Sequence, residues 1–349
     1  MLCFGVFSRY CKQKGDWVME NFKEFNIKDL PQEFSEKLLS EIPDNPNFPK
    51  VSVILTTYNR EYFFTESIES ILDQDYPNLE IIVSDDGSED NTFSIASEYA
   101  KDNPHIKVVR NARTRGSAGN RNNGLDYASG ELLLLLDDDD LLFKEAISQM
   151  VEVYLRFDKQ YGIIIANCTR SDDGFLSGQG LDESREISFQ EVLAGCLDGE
   201  FVTLFERKLL GQRRFNENLQ RGNMGLLWLK LHKQRPCYYI HKPLKFYRIH
   251  AESLTQSLKY KPLEMVKNYE QDILLFYKER LKYCPAHLAK LCATAALLYR
   301  QGGNRKKAFK KILQSLAIYP NWLALQVFAC LFLPISFLPK LKIRQRVEK

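Results

Sequence analysis

Four consecutive aspartates, Asp137 to Asp140, follow five consecutive leucines, Leu132 to Leu136. Carboxylates crowded together raise one another's proton affinity unless a cation lies between them. A site that offers only oxygen suits Mg²⁺ or Mn²⁺, which take few protein carboxylates and complete their shells with water and substrate phosphate. The chemistry to expect is metal-assisted work on a phosphate-bearing substrate. A solvated acidic loop is the plainer reading of such a run. Here, however, the aspartates begin directly at the end of an apolar stretch.

That stretch is one of several. VSVIL (51–55), LEIIV (79–83), IKVV (106–109), ELLLLL (131–136) and GIIIA (162–166) have the length and composition of strands. Between the first two, EYFFTESIESILDQ sets Phe64, Ile68, Ile71 and Leu72 on one helical face. DGSEDNTFSIASEYAK then supplies capping residues and a helix, and further helices are expected near 118–128 and 144–157. Strands apolar on both faces and separated by helices indicate a parallel α/β sheet covered on both sides. Ligands in such sheets bind outside the carboxyl ends of the strands. Thr56 to Asn59, Asp85 to Ser88, Arg110 to Arg115 and Asp137 to Asp140 should therefore gather on one edge.

Three phosphate-handling patterns can be compared with these loops. A dinucleotide fingerprint needs GxGxxG after the first strand, where TTYNRE stands instead. A P-loop needs GxxxxGK[ST], but GNRNNG (119–124) runs into Leu125 and Asp126. An aspartyl-phosphatase would use Asp137 as nucleophile and Asp139 as acid/base, though such pairs usually follow the first strand of their fold.

The remainder of the 349 residues constrains less. A formal charge of +3 gives no reason to propose nucleic acid as a partner. Eight cysteines include no CxxC pair and read as small apolar residues in a reducing compartment. The first residues lack the basic and apolar regions of a secretory signal, and Met19 offers a more ordinary start. The division expected is an N-terminal extension (1–48), a main domain (49–255) and a helical C-terminal region (256–349). Order loosens beyond about residue 170. Tyr299, Ala308 and Pro320 have the spacing of a single tetratricopeptide-type hairpin, read as a helical pair packed on the main domain. The apolar tail 327–339, followed by KLKIRQR, is too short to span a bilayer. It is either an interfacial membrane anchor or a buried terminal helix.

The ordered set VSVILTTYNR, IIVSDDGSEDNT, AGNRNNGLDYASGELLLLLDDDD and KPLKFYRIHAESLT resembles the family 2 glycosyltransferases of GT-A fold over residues 50–255. The resemblance implies an α/β, GT-A Rossmann-like, mostly parallel sheet with a helical extension. It also implies a nucleotide-sugar donor, with a UDP-sugar expected, and a Mn²⁺ or Mg²⁺ cofactor. By the same likeness, Thr56 and Tyr58 would line the base pocket and Asp86 would accept a hydrogen bond from uracil. Arg121 would sit near the nucleotide and Asp138 near the ribose. Asp139 would bind the metal on the diphosphate, with Asp137 and His250 as further contacts. The reaction implied is inverting transfer to a glycan or lipid-linked acceptor at the cytoplasmic membrane face, in surface polysaccharide or glycan synthesis.

One element of the family pattern is missing. The catalytic base usually lies in a Gly-Glu-Asp-like stretch before Leu-Trp, and in QRGNMGLLWLKL (220–231) those places hold Asn223 and Met224. Neither side chain can take a proton at neutral pH. Three readings follow. Another acid serves, with Glu200 and Glu217 nearest in sequence; or the acceptor needs little base help; or the chain is a degenerate nucleotide-sugar binder.

Overall fold

A computed structural model describes residues 48–219, 224–250 and 261–333. Nine strands form one sheet: β1 (Val51–Thr57), β2 (Leu79–Asp85), β3 (Ile106–Arg110), β4 (Leu132–Asp137), β5 (Leu141–Leu142), β6 (Ile163–Arg170), β7 (Arg185–Ile187), β8 (Phe201–Glu206) and β9 (Cys237–Tyr247). Their order is β3-β2-β1-β4-β8-β6-β9-β5, with β7 added on β9. The first four are mutually parallel. β8 runs antiparallel to both β4 and β6, and β6 is parallel to β9. The sheet is thus mixed, with β1 to β4 forming its parallel half.

The leucines behave as a doubly covered strand requires. Leu132, Leu133, Leu134 and Leu136 are all at most 2% exposed, and they divide between two cores on opposite faces. One face is closed by helices α1 (Glu61–Leu72), α2 (Thr92–Asp102) and α4 (Ala146–Arg156), through Phe64, Ile68, Ile71, Ala96 and Met150. The other face receives α3 (Ser117–Tyr127) with Ala118 and Leu125. α3 comes close enough that a Cβ at Gly124 would stand 2.4 Å from Ile54 Cγ2. Gly124→Val should therefore overpack this contact, cost about 1–3 kcal/mol and lower the melting temperature by several degrees. An unchanged melting curve would mean that the helix shifts freely.

The region beyond residue 170 is more regular than expected. It holds β7, β8, β9 and the short helices α5 (Phe189–Ala194), α6 (Arg207–Leu210) and α7 (Met224–His232). β9 escapes sequence reading because CYYIHKPLKFY carries a proline and three charged or polar side chains in its middle. Proline cannot donate to the ladder, and the β6–β9 register shifts where Asn167 meets Pro243.

Five further helices follow: α8 (Pro262–Leu275), α9 (Tyr277–Tyr283), α10 (Pro285–Gln301), α11 (Arg305–Ile318) and α12 (Trp322–Cys330). The hairpin read from sequence is α10–α11, with Tyr299 and Ala308 buried between the helices. Its surroundings are larger than one helical pair. The helices share a core of their own and meet the sheet domain where Phe276 packs on Leu193, Leu226 and Leu229. No described helix is long and apolar enough to cross a membrane. Of the tail segment 327–339, the residues from Pro334 onward lie outside the described residues, as do the N-terminal 47.

Candidate active site

Register brings the polar loops together. Thr56 pairs with Asp137 across β1 and β4, and Thr57 pairs with Asp85 across β1 and β2, so three strands end at one level. β2 leads into a turn built by its own last residue. Asp85 is fully buried, and its Oδ1 accepts from the Gly87 and Ser88 amides, both at 3.0 Å, and from Arg110 at 2.6 Å. Gly87 adopts φ +85°, a conformation that favours glycine. Asp86 is thereby turned toward the loop before α3. Its carboxylate accepts from Asn111 Nδ2 at 2.6 Å and from the Gly116 amide at 2.7 Å.

The four aspartates occupy one tight turn, closed by the Asp140 amide donating to the Asp137 carbonyl at 3.1 Å. Ser67 of α1 braces it, its hydroxyl donating to the carbonyls of Asp138 (2.7 Å) and Asp140 (2.8 Å). Each carboxylate then goes to a different partner. Asp137 accepts from Arg121 at 2.5 Å and from the Thr56 hydroxyl at 3.5 Å. Asp138 accepts from the Tyr58 amide at 3.2 Å and lies 3.7 Å from Arg60. Asp139 meets His250 Nε2 at 3.0 Å. Asp140 accepts from Lys245 Nζ at 2.5 Å and from the Arg248 amide at 3.1 Å.

Charge sorts them further. Burial pushes the Asp137 carboxyl up, but the Arg121 and Lys245 charges and the hydrogen bonds from Arg121 and Thr56 together hold the group below its ordinary value. For Asp138, burial and the neighbouring Asp139 charge outweigh the more distant Arg60 and raise it well above the carboxylate range. Asp140 and Lys245 form a buried ion pair with side chains 2% and 8% exposed. Lys245→Met would strand a buried carboxylate, a loss worth about 3–5 kcal/mol. Its denaturant midpoint should fall accordingly, and an unchanged midpoint would show that the pair is not buried in solution.

Around this turn lie groups suited to a flat, charged ligand. Tyr58 is 45% exposed, with the Arg115 guanidinium 5.5 Å from its ring centroid. Asn120 is structural, since its amide donates to the Ser84 carbonyl at 2.9 Å and the Thr57 carbonyl at 3.2 Å. This orients α3 so that Arg121 reaches Asp137. His250 packs on Phe63 at 4.6 Å, and its Nδ1 is buried without a hydrogen-bond partner among the described residues. The Arg248 guanidinium also lies over the Phe63 ring, 4.9 Å from its centroid, and pairs with Glu66. Ser67, Lys245, Arg248 and Phe63 were not singled out by sequence. Only the charged KFYRIH segment hinted at the last part of this set.

Among the described residues, no cluster of three or more acidic, histidine or cysteine side chains could hold a metal alone. Asp139 and His250 offer one oxygen and one nitrogen side by side. The Asp139 carboxylate suits Mg²⁺ or Mn²⁺ when substrate phosphates fill the remaining positions, and the imidazole nitrogen would favour the transition metal of the two.

The two acids considered as substitute bases are placed very differently. Because β8 is antiparallel to β4, Glu200, just before β8, comes to the edge where β4 ends. It is reachable by solvent, and Lys245, Asp137, Arg121 and Asp139 all act on it electrostatically. Although the side chain meets solvent, the protein crowded around it raises its pKa, Lys245 opposes, and the Asp137 charge adds to the rise. Glu217 instead accepts from Asn122 at 2.8 Å and from Arg113 at 2.9 Å, tying α3 to its preceding loop. Asn223 lies outside the described residues, and Met224 is the first residue of α7.

Residues 52–214 match the model of glycosyl transferase family 2. The chain is 36% identical over 310 residues to the GalNAc(5)-diNAcBac-PP-undecaprenol beta-1,3-glucosyltransferase of Campylobacter jejuni, covering 85% of this chain and 98% of that one. It is 30% identical over 165 residues to the Escherichia coli UDP-Glc:alpha-D-GlcNAc-diphosphoundecaprenol beta-1,3-glucosyltransferase WfgD, covering 47% and 63%. Among solved structures, S. aureus TarS 1–349 in complex with UDP-GlcNAc superposes with a TM-score of 0.60 at 20% identity, over 80% of this chain and 83% of that one. The chain belongs to glycosyl transferase family 2, and its fold is GT-A. It is a glycosyltransferase, which sets aside the phosphatase reading of Asp137.

Proposed function

We propose that this protein transfers a sugar from a UDP-sugar to a hydroxyl of a polyprenyl-diphosphate-linked saccharide, with inversion at the anomeric carbon. One observation carries the reading: the four aspartates share one turn but serve four partners, leaving Asp139 and His250 together at the ligand-facing edge. Asp139 and His250 would hold Mn²⁺ or Mg²⁺, which would supply positive charge to the leaving diphosphate. Arg121, fixed by Asp137, adds positive charge beside the nucleotide. Tyr58 and Arg115 flank the base, Thr56 supports Asp137, and Asp86, held by Asn111 and the Gly116 amide, is the acceptor for the base's N–H.

Glu200 takes the proton from the acceptor hydroxyl. It is the one of the two weighed acids at this edge, and its raised pKa suits a base working near neutrality. The active reading is thereby favoured over a degenerate binder, despite Asn223 and Met224. The lipid-linked acceptor follows the printed substrates of the two relatives, the first aligned over nearly its whole length.

The test is direct. Protein, Mn²⁺, a panel of UDP-sugars and an undecaprenyl-diphosphate-linked saccharide are combined and the lipid is weighed by mass spectrometry. The expected product carries one additional sugar, with one UDP released per transfer. No added sugar with any donor would reject the proposal.

A further inference from the structure

The formal charge of +3 conceals a strong asymmetry. Between Glu279 and Glu348 the sequence has no acidic residue and thirteen lysines or arginines. That segment therefore carries +13 and the remainder −10. Such segregation points to an anionic surface as partner.

The same segment displays apolar side chains to solvent. On α11 the exposed face repeats as Lys306, Phe309, Lys310 and Leu313, the spacing of one helical stripe. α12 continues it. Trp322 is 71% exposed and Phe332, just beyond the helix, is 75% exposed. Ring contacts join the two elements, Phe309 to Phe328 at 6.3 Å and Phe328 to Phe332 at 5.7 Å. From Asn321 to Leu333 there is no charged residue at all.

We infer that the α11–α12 face docks on an anionic lipid bilayer, with the aromatic ridge in the headgroup boundary and the α11 lysines on the lipid phosphates. A nucleic acid would use the lysines but leave the uncharged α12 face in water. A second copy of the chain would bring +13 against +13. A bilayer satisfies both properties, since aromatic and basic side chains partition together at its surface. α12 has nine residues and lies along the surface rather than through it. This surface deepens the lipid-linked acceptor proposed above, but its test needs no sugar chemistry.

Full-length protein is sedimented with vesicles of phosphatidylcholine alone or mixed with phosphatidylglycerol. Wild type should pellet with the anionic vesicles and be released by high salt. Lys306→Glu/Lys310→Glu should weaken that partition at least about tenfold. Trp322→Ser/Phe332→Ser should weaken it on anionic vesicles with an unchanged melting temperature, since both side chains are exposed. Wild type remaining in the supernatant with both vesicles would overturn the inference, as would either variant binding like wild type. So would a dimer that the Trp322→Ser/Phe332→Ser variant dissolves, which would assign the face to a second copy.

Discussion

Replacing Glu200 by glutamine is expected to lower kcat for glycosyl transfer by about 10²–10⁴-fold, the usual worth of a general base, with UDP affinity unchanged. The substitution keeps shape and removes only the ability to accept a proton. Glu200 has a structural claim to the role that sequence spacing could not give it. The antiparallel turn of β8 against β4 returns the chain to the carboxyl edge beside Asp137 and Asp139. A pH profile separates chemistry from structure. The base works deprotonated, and burial raises its pKa, so activity should fall on the acid side at a pH above the ordinary glutamate range. Glu200→Gln should abolish that acid limb. Glu217→Gln should instead loosen Arg113 and Asn122 and lower stability without moving the limb. An unaltered kcat in Glu200→Gln would leave the proton to another group.

Asp139→Asn is expected to reduce transfer by roughly a thousandfold or more, because metal stabilisation of a leaving phosphate is worth several kcal/mol. The neighbouring aspartates should respond differently. Asp137 answers to Arg121, and Asp140 answers to Lys245 inside the protein. Asp140→Asn should therefore lower stability more than it alters metal dependence. Asp139→Asn should change the melting temperature less than Asp140→Asn does, since the Asp139 side chain is 17% exposed beside His250 and that of Asp140 only 2%. Equal losses of activity across all four single variants, with equal losses of stability, would indicate a purely structural acidic turn.

Much of the nucleotide half was legible because its strands are buried on both faces. VSVIL, LEIIV and LLLLL advertise themselves, and each runs directly into a polar loop. The acceptor half was not legible for a definite reason. β8, FVTLFE, is interrupted by Thr203, and β9 carries lysines and a proline, so neither gives an unbroken apolar run. Lys245 reads as surface charge in sequence, yet it is the buried partner of Asp140. Ser67, in the middle of an amphipathic helix, gave no signal that it would brace the aspartate turn. The net charge misled by averaging, since +13 and −10 sum to a number that suggests nothing.

The central claim is a metal-dependent UDP-sugar site at the carboxyl edge of β1, β2 and β4. Calorimetric titration of UDP, with and without Mn²⁺, into wild type and Asp139→Asn tests it most directly. Binding should be strong only with Mn²⁺ in wild type, and the metal-dependent part should vanish in the variant. Absence of UDP binding under either condition, or equal Mn²⁺-dependent binding in both proteins, would contradict the assignment of Asp139.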